Sequence, residues 1–509
     1  MLGDYARLSL LAGLLIVRTG FAAENPPTQP QPHGRTLALQ GRVGHPAFSP
    51  DSKLVATLGA DGRVTLWDVA TAEPAGPPLE LGHKVTTGAP HGDRRGLLSF
   101  SPDGRSLVWW SEDEVAIWDV ATRQVIGRPI GAGARIFKGV SARSVMGFSP
   151  GGDVLLLETR DGFVLWSISK RGPMGPPLKG VVGGGDVAGP RIRFSPDGRI
   201  VAAATKDGVI VWDVAKAEPT GPVLKPRGDL PQLVFSPDGT ILAALSLGEV
   251  TLWDVANREA AGVLNRSGGG ISKALWGADS QVAFSPDGRV LAWLTNRGQW
   301  RDAGEISLWD VAKRKSIVPP LSGHPRAETV AFSPDSKMMV TGDVDHSIIL
   351  WDVWSGSAIG EPLLIGGKAR IGRRGVGVPR LAFSASGATL VIISSEPSLL
   401  ELWDVAHQPA RLLRRFDHVQ ALRMPSWGGL GAVDSQNKTL AFRTDGRLAL
   451  WDLPSQEARD QPVFVPGFEG DRIAFSPDGA TIATYKDAKT GTVITLWEVA
   501  TLIPPARSR

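Results

Sequence analysis

Among the side chains that could take part in catalysis, carboxylates recur most regularly in this chain of 509 residues. In eight of ten similar segments an Asp directly follows a Trp, and a carboxylate in a fixed setting could act as a general acid or base. A catalytic carboxylate, however, is a single group whose pKa is tuned by its own site. Eight copies instead predict a turn residue whose side chain hydrogen-bonds the backbone that follows it.

Metal and nucleophile chemistry has little support in the composition. The chain has no Cys, which excludes disulfides, thiolate metal sites, Fe–S clusters and cysteine nucleophiles, and it has only 8 His. The motifs HExxH and GxSxG and the phosphate-binding pattern GxxxxGKS/T do not occur. His83 and His91, with Asp93 nearby, are a candidate metal site, but a solvated glycine-rich loop is the favoured interpretation. We therefore predict no catalytic residue, metal site or cofactor.

The elements that must position these residues are indicated by an excess of 17 Trp over 2 Tyr. Ten of the Trp close the same short apolar segment, of the type VTLWD, at intervals that average about 48 residues. A period of this size indicates a repeat architecture in which each unit is one small supersecondary structure. The ten are Trp67, Trp118, Trp166, Trp212, Trp253, Trp309, Trp351, Trp403, Trp451 and Trp497.

Each repeat predicts four antiparallel strands, which we name a to d. The segment Ser101-Pro102-Asp103-Gly104, of which most repeats carry a variant, has type I turn chemistry between strands a and b. Strand b, for example residues 54–58, ends at the hairpin signal Asp61-Gly62, and strand c then runs from residue 64 to 67. Segment d contains prolines, as in residues 76–79. Because proline cannot donate to a ladder, d is predicted to be the outermost strand.

This combination of FSPDG and DGxVxLWD resembles the WD-repeat β-propellers over roughly residues 36 to 500. The resemblance implies an all-β fold, a β-propeller of about ten four-stranded antiparallel WD-type blades. Three repeats carry the Gly-His dipeptide of the family, namely Gly44-His45, Gly82-His83 and Gly323-His324. Three carry an Asp at the family's position six residues before the Trp, namely Asp61, Asp345 and Asp445. Most blades are therefore expected to depend on apolar packing.

The two ends of the chain are predicted to meet. The last repeat has strands a, b and c but no clear d, whereas residues 35–41 precede the first repeat as a strand d would. Pairing of this N-terminal strand with the C-terminal blade would close the propeller and remove its open edges. Residues 35–509 are thus expected to form one closed array, with two smaller rings as the alternative.

The N-terminal segment suggests export. Residues 8–17 are a ten-residue apolar run, which is too short to span a bilayer. The run resembles a secretory signal peptide within residues 1–23, followed by a Pro-rich tether at 24–34. Asp4 and Arg18 count against this interpretation. A periplasmic or cell-envelope location is expected, with a short hydrophobic anchor or a cytoplasmic location as alternatives.

Candidate contact residues lie in the sequence-variable connections between strands b and c and between d and the next a. Strand alternation places these connections on one face of a propeller, where loops on a rigid scaffold usually bind partners. Several of the loops are basic, which would attract an anionic partner, although a solvated loop is the alternative for each. The candidates are Lys368, Arg370, Arg373, Arg374, Arg380, Arg135, Lys138, Trp276, Trp300 and Trp427.

The predicted function is a non-catalytic scaffold for protein–protein interaction. Ten structural repeats without a catalytic constellation favour a binding role for an unknown, acidic protein or another anionic partner. A nucleic-acid partner is not favoured because aromatic residues are sparse among the basic loops. Membrane contact is expected at most through the N-terminal segment. The alternative is a cell-envelope propeller enzyme, a hydrolase or lyase, with its site at the channel mouth.

Overall fold

Antiparallel strands make up almost all of the regular structure. The computed structural model describes residues 34–39, 46–59, 61–80, 97–110, 115–127, 147–159, 162–178, 192–226, 232–246, 249–265, 281–295, 305–321, 323–324, 327–343, 346–367, 379–395, 398–420, 422–423, 428–429, 431–433, 438–444, 446–453, 462–468, 472–488 and 491–503. The predicted signal segment and residues 24–33 of the predicted tether lie outside these ranges.

The strands form ten sheets in chain order, and strand β1 (Arg35–Thr36) belongs to the last of them. Sheets 1 to 5 contain, in order, β2 (Ala47–Phe48), β3 (Leu54–Leu58), β4 (Val64–Asp68); β5 (Leu97–Phe100), β6 (Ser106–Trp110), β7 (Val115–Asp119); β8 (Gly147–Phe148), β9 (Val154–Thr159), β10 (Gly162–Ser167), β11 (Gly172–Pro173); β12 (Ile192–Phe194), β13 (Ile200–Thr205), β14 (Gly208–Asp213), β15 (Glu218–Pro219); and β16 (Gln232–Phe235), β17 (Ile241–Ser246), β18 (Glu249–Asp254), β19 (Glu259–Asn265).

Sheets 6 to 10 repeat the pattern, with additional short strands in sheets 9 and 10. They contain β20 (Gln281–Phe284), β21 (Val290–Thr295), β22 (Glu305–Asp310), β23 (Lys315–Ser316); β24 (Ala327–Phe332), β25 (Met338–Asp343), β26 (Ser347–Asp352), β27 (Leu363–Leu364); β28 (Arg380–Phe383), β29 (Thr389–Ser395), β30 (Ser398–Asp404), β31 (Arg411–Asp417); β32 (Val419–Gln420), β35 (Gly431–Val433), β36 (Thr439–Thr444), β37 (Arg447–Asp452), β38 (Val463–Phe464); and β33 (Leu422–Arg423), β34 (Gly428–Gly429), β39 (Arg472–Phe475), β40 (Thr481–Ala488), β41 (Gly491–Glu498).

Helical structure is confined to two short pieces among the described residues. They are a 3-10 turn at Ile365–Gly367 and the helix α1 at Val499–Leu502. Within the part of the chain that the structure describes, no helix is long and apolar enough to cross a membrane.

The predicted strand boundaries agree closely with the structure in the first repeat. Strand b was expected at residues 54–58 and strand c at 64–67, where β3 and β4 lie. Between strands a and b the glycine of the Ser-Pro-Asp-Gly segment adopts a left-handed conformation, with φ of 72° at Gly104. Only glycine adopts such a φ without steric cost, which explains the recurrence of glycine at this position.

Segment d is shorter than the sequence predicts wherever it contains proline. In four of these repeats the expected outer strand is reduced at its end to one antiparallel bridge, for example between Val64 and Leu79 and between Val209 and Leu224. Proline has no amide hydrogen, so it interrupts the ladder on both sides of the bridge. Among the outer strands of the described residues, only β19 and β31, which contain no proline, extend over seven residues.

The sheets are arranged with strand a on the inside. The first strands of consecutive sheets contact each other, as β12 does with β16 and β24 with β28. Segment d lies at the opposite end of each sheet, as in the strand order β16-β17-β18-β19 of sheet 5. Strand a therefore lies nearest the centre and d forms the outer rim, which is the architecture of a β-propeller blade.

Each pair of consecutive blades shares an apolar core. The repeated Trp side chains belong to these cores: Trp118 is fully buried, and Trp67 and Trp351 are 4% and 3% exposed. Ten separate clusters of buried residues occur, one for each of the nine consecutive pairs and one between blades 10 and 1. Apolar packing thus runs around the whole ring, and the protein is a ten-bladed propeller.

The two ends of the chain meet in blade 10, as the sequence predicts. β1 pairs antiparallel with β41, with Arg35 opposite Leu496 and Thr36 opposite Thr495. The amide of Leu37 continues the pairing by donating to the carbonyl oxygen of Ile494 at 3.0 Å. The strand is shorter than the seven residues expected, but the Leu37 side chain is buried in the core between blades 10 and 1. The N-terminal strand therefore closes the ring.

Candidate functional site

The alternating strands give the ring two faces of different composition. We call the face that carries the a–b and c–d turns the turn face. The opposite face, which carries the ends of the b–c and d–a connections, is the connection face. A binding or catalytic site of this ring must lie on one of these faces, on the rim or in the channel.

The a–b turns of the turn face share one hydrogen-bond arrangement. The Ser101 hydroxyl donates to Oδ1 of Asp103 at 2.6 Å and accepts from the backbone amide of Ser106 at 2.9 Å. Oδ1 of Asp103 also accepts from the amide of Arg105 at 3.1 Å. The same Ser-to-Asp bond occurs at 2.5–2.6 Å in the turns that begin at Ser49, Ser195, Ser236, Ser285, Ser333 and Ser476.

In the turns of Asp51 and Asp197 these hydrogen bonds hold the carboxylate in its charged form. The hydroxyl of Ser49 lowers the pKa of Asp51, and Ser195 does the same for Asp197. Hydrogen bonds to the charged form of an acid favour that form. A general acid needs a raised pKa, so the shift is opposite to that of a proton donor.

Neighbouring a–b turns also contact each other. The amide of Asp287 in blade 6 donates to the hydroxyl of Ser336 in blade 7 at 3.1 Å. The amide of Asp478 in blade 10 donates to the hydroxyl of Ser52 in blade 1 at the same distance. The latter bond joins the last blade to the first. The recurrent polar groups of these turns are thus used to hold each turn and to join consecutive blades.

The Asp that follows the repeated Trp has the turn role that the sequence predicts. Oδ1 of Asp68 accepts from the amide of Thr71 at 2.8 Å, and Oδ1 of Asp119 accepts from the amide of Thr122 at 2.7 Å. In blade 7, Asp352 accepts from Ser355 in the same way at 2.8 Å. Each carboxylate therefore closes the c–d turn of its own blade.

Blade 7 contains a buried network of His, Asp, Thr and Trp side chains that does not recur in the described parts of the other blades. The His324 ring contacts Oδ2 of Asp343 through Nε2 at 3.1 Å and the hydroxyl of Thr341 through Nδ1 at 2.7 Å. The indole Nε1 of Trp351 donates to the same hydroxyl at 2.9 Å. The network joins the d–a connection to strands b and c of one blade.

The acid of this network differs from the one expected by resemblance. Asp345 lies outside the described residues, as do Asp445, His45 and His83. The carboxylate that contacts His324 belongs to Asp343, the last residue of β25. Asp61, the remaining expected acid, is exposed and accepts from the amide of Arg63 at 3.1 Å. The family position six residues before the Trp does not identify Asp343. Its place at the end of the predicted strand b is the sequence feature that could have identified it.

Repeated Trp side chains differ in how their indole nitrogen is satisfied. Trp67 and Trp497 donate to the threonines Thr57 and Thr484 at 2.8 and 2.9 Å. Trp403 donates to Oε2 of the buried Glu401 at 3.0 Å. The indole nitrogens of Trp166, Trp253, Trp309 and Trp451 are buried without a hydrogen-bond partner in the described structure. The repeated Trp side chains thus share burial of the indole, whereas a hydrogen bond from the indole nitrogen is present in only some of them.

Of the predicted contact residues, only Arg380 lies in the described structure. It is the first residue of β28, an innermost strand, and its side chain is exposed. Its position at the start of strand a is on the connection face. The remaining candidates lie outside the described residues, namely Lys368, Arg370, Arg373, Arg374, Arg135, Lys138, Trp276, Trp300 and Trp427.

Arg193 is a further basic residue near the centre of the ring, and the sequence analysis did not single it out. It lies on the innermost strand β12 and is exposed. Desolvation by the surrounding protein lowers the pKa of its guanidinium. The available signal was the pattern Arg-Ile-Arg-Phe, which puts two arginines on one side of a predicted strand a.

The described residues contain no cluster of three or more His, Asp or Glu that could hold a metal ion. His83, His91 and Asp93 lie outside them. The polar geometry that the structure describes is therefore that of turns, of the network in blade 7 and of exposed arginines.

Comparison with known proteins agrees with this architecture. The family model described as "WD domain, G-beta repeat" matches residues 35–68 and 315–352. The chain is 28% identical over 206 residues to the Arabidopsis thaliana "Periodic tryptophan protein 2", a match that covers 35% of this chain and 22% of that protein. The chain thus spans about a fifth of that relative's length.

Two solved structures match the chain at low sequence identity. The computationally designed protein Ika8 is 19% identical, with a TM-score of 0.38, over 73% of this chain and 98% of its own. A structure titled as the eukaryotic initiation factor is 13% identical, with a TM-score of 0.46, over 76% and 92% of the two chains. The ten blades with their repeated Trp-Asp turns thus form a β-propeller that contains WD repeats at residues 35–68 and 315–352.

Proposed function

We propose that this protein is a non-catalytic scaffold that binds a protein or another anionic partner through its connection face. The proposal rests mainly on one contrast between the two faces. The recurrent polar residues of the turn face are engaged in hydrogen bonds within and between turns, as in Ser101 with Asp103 and Asp478 with Ser52. The connection face carries the segments that differ from one repeat to the next, and such segments on a rigid scaffold are available for binding.

The charge of the connection face supports an anionic partner. The sequence between strand d of blade 7 and strand a of blade 8 contains Lys368, Arg370, Arg373 and Arg374 without an acid. Arg380, which follows directly, is exposed at the start of β28. A concentration of one charge on a surface accelerates association with the opposite charge and helps to set the partner's orientation.

A capture experiment with two matched variants tests the proposal. The first variant carries Arg370→Glu, Arg373→Glu and Arg374→Glu on the connection face. The control carries Arg105→Glu, Arg199→Glu and Arg289→Glu on the turn face, where these side chains are 87%, 86% and 74% exposed. Both variants change the net charge equally.

Affinity-tagged wild type and both variants are expressed in the native cell, and the captured proteins are quantified by mass spectrometry. We expect the connection-face variant to lose wild-type partners and the turn-face control to keep them. Unchanged capture by the first variant, or equal loss from both, would contradict the proposed face.

A further inference from the structure

The outer rim of the ring contains two strands that are unlike the rest. β19 and β31 each extend over seven residues, whereas the outer strands of the other blades, as far as the structure describes them, have two residues or consist of isolated bridges. Both are the outermost strands of their sheets, in the orders β16-β17-β18-β19 and β28-β29-β30-β31. In both, the pairing with strand c shifts by a bulge directly before the repeated Trp, which is Trp253 in blade 5 and Trp403 in blade 8.

An outermost strand of this length has backbone groups directed away from its sheet. In an antiparallel pair, the amide and carbonyl groups of alternate residues point towards the partner strand and the others point outward. Such an edge is a template on which an extended peptide can be added as a further strand. Proline in the other d segments removes this capacity, because it deletes donors and shortens the strand.

The two long edges differ strongly in charge. β31 contains Arg411, Arg414 and Arg415 and one acid, Asp417, whose Oδ1 accepts from Nε of Arg415 at 2.9 Å. The exposed His418 follows the strand. β19 has the sequence EAAGVLN, with one acid and no basic residue. A basic edge selects an acidic strand, whereas β19 offers the same backbone without that attraction.

Side chains of β31 give the edge a fixed shape and one apolar contact point. Phe416 packs against Phe442 and Trp451 of blade 9, with ring centroids 4.6 and 5.4 Å apart. On the same strand Leu412 is 45% exposed. A strand anchored in the core is already ordered before binding, which reduces the entropy lost by the complex.

We propose that β31 binds an extended acidic segment of a partner protein by β-strand addition. The segment would lie against the outer edge of blade 8, with acidic side chains near the arginines and an apolar side chain near Leu412. A second copy of β31 does not suit this edge, because its arginines would face those of the first copy. The site is on the rim, so it is separate from the connection face of the proposed function.

The first test measures binding of a fluorescein-labelled peptide of alternating Val and Glu by fluorescence anisotropy, with a Val/Lys peptide as the probe of opposite charge. The rim variant carries Arg411→Glu and Arg415→Glu. The matched control carries Lys313→Glu and Lys315→Glu at the rim of blade 6, where the outer strand β23 has only two residues. Circular dichroism establishes that each variant is folded.

We expect the acidic peptide to bind wild type and the control equally, the rim variant about tenfold more weakly, and the Val/Lys peptide not to bind. Absence of binding by the acidic peptide, or equal weakening in the control, would overturn the proposal. The variant Arg370→Glu, Arg373→Glu, Arg374→Glu should bind the peptide as wild type does, which separates this site from the connection face.

Hydrogen exchange distinguishes strand addition from loose electrostatic attraction. With the acidic peptide bound, amide exchange in residues 411–417 should slow, because the outward amides become hydrogen-bonded. Residues 259–265 of β19 should exchange at an unchanged rate. Binding without protection of 411–417, or with equal protection of both strands, would contradict β-strand addition at this edge.

Discussion

The turn face and the connection face are made by the same strands but use their polar residues differently. On the turn face, the hydroxyl of Ser101 and the carboxylate of Asp103 bond each other and the backbone, and equivalent pairs recur around the ring. On the connection face the sequence changes from repeat to repeat, and the exposed Arg380 has no counterpart in most blades. Repetition thus records what the fold needs, and the proposed binding surface is the one on which the repeats differ.

The contrast predicts that substitutions in the core and on the turn face change stability, whereas those on the connection face change partners. The largest effect is expected in the core that both faces share. Trp351→Ala should lower the free energy of unfolding by about 3–5 kcal/mol, because a large buried ring is lost.

Chemical denaturation of Trp351→Ala measures this cost, with Trp354→Ala as its control. Trp354 lies in the c–d turn of the same blade, is 44% exposed and is not one of the repeated Trp. Its replacement should cost no more than about 0.5 kcal/mol. Equal stability of the Trp351 variant and the control would be inconsistent with the blade assignment.

Closure of the ring should be the next most costly feature to disturb. Leu37→Ala removes a side chain that is 2% exposed in the core between blades 10 and 1, and about 2–4 kcal/mol of stability should be lost. Leu364→Ala on the exposed outer strand of blade 7 is the comparison, since this leucine is 38% exposed. If thermal unfolding showed no difference between the two variants, residues 35–37 would not close the ring in solution.

The polar network of blade 7 is expected to contribute less than these apolar groups. His324→Ala leaves the buried Asp343 and the hydroxyl of Thr341 without the ring that contacts them. The cost should be about 2–3 kcal/mol, because two buried polar groups each lose one of their partners. His407→Ala is the control: His407 contacts Asp404 at 2.9 Å but is 72% exposed, so about 0–1 kcal/mol is expected. A smaller cost for His324 than for His407 in urea denaturation would refute a stabilising network.

A single turn of the turn face should have a smaller effect with a characteristic pH dependence. Ser195→Ala removes bonds to Asp197 and to the amide of Ile200, at an expected cost of about 1–2 kcal/mol at pH 7. Because Ser195 lowers the pKa of Asp197 in the folded protein, its stabilisation is present above the unfolded pKa of about 3.9. It is lost as the pH falls through the lowered folded pKa.

The stability difference between wild type and Ser195→Ala should therefore decrease below about pH 4, as followed by urea denaturation over a pH series. A difference that grows on acidification would contradict the assigned hydrogen bond.

The smallest effect on stability is expected on the connection face. The variant Arg370→Glu, Arg373→Glu, Arg374→Glu should unfold within about 0.5 kcal/mol of wild type, because surface substitutions rarely affect folding. Differential scanning calorimetry checks this expectation. A strong destabilisation would mean that this segment serves the fold, and the contrast between the faces would fail.

Sequence patterns predict the fold well because the repeated positions have few physical solutions. A buried Trp before a turn-forming Asp, and glycine at a left-handed position such as Gly104, recur for reasons that are local to one blade. Ring closure was also predictable, because the last repeat lacks a strand that the N-terminus supplies.

Contacts between blades were harder to predict, because each joins residues of two repeats. Nη1 of Arg123 in blade 2 donates to the carbonyl oxygen of Pro77 in blade 1 at 2.9 Å, and Nη2 donates to that of Ala75. Gly76 leaves the space for this side chain, since a Cβ at that position would lie 2.6 Å from Cζ of Arg123. The sequence predicts Gly76 only as part of a proline-containing strand d.

For the candidate contact residues, the sequence predicts only the face on which they lie and the charge of their loops. Repetition identifies what is shared between blades, whereas a binding site is formed by residues that are not shared. Arg193 illustrates the limit: its place on an innermost strand depends on the closed ring, and its exposure depends on the neighbouring blades.

Photo-crosslinking in the native cell tests the role of the connection face most directly. Benzoylphenylalanine is introduced in place of Arg374 on the connection face or of Arg199 on the turn face, and crosslinked proteins are identified by mass spectrometry. We predict specific partner crosslinks from position 374 and none above background from position 199. Crosslinks to the same partner from position 199 alone would show that the turn face binds it and would contradict the proposed function.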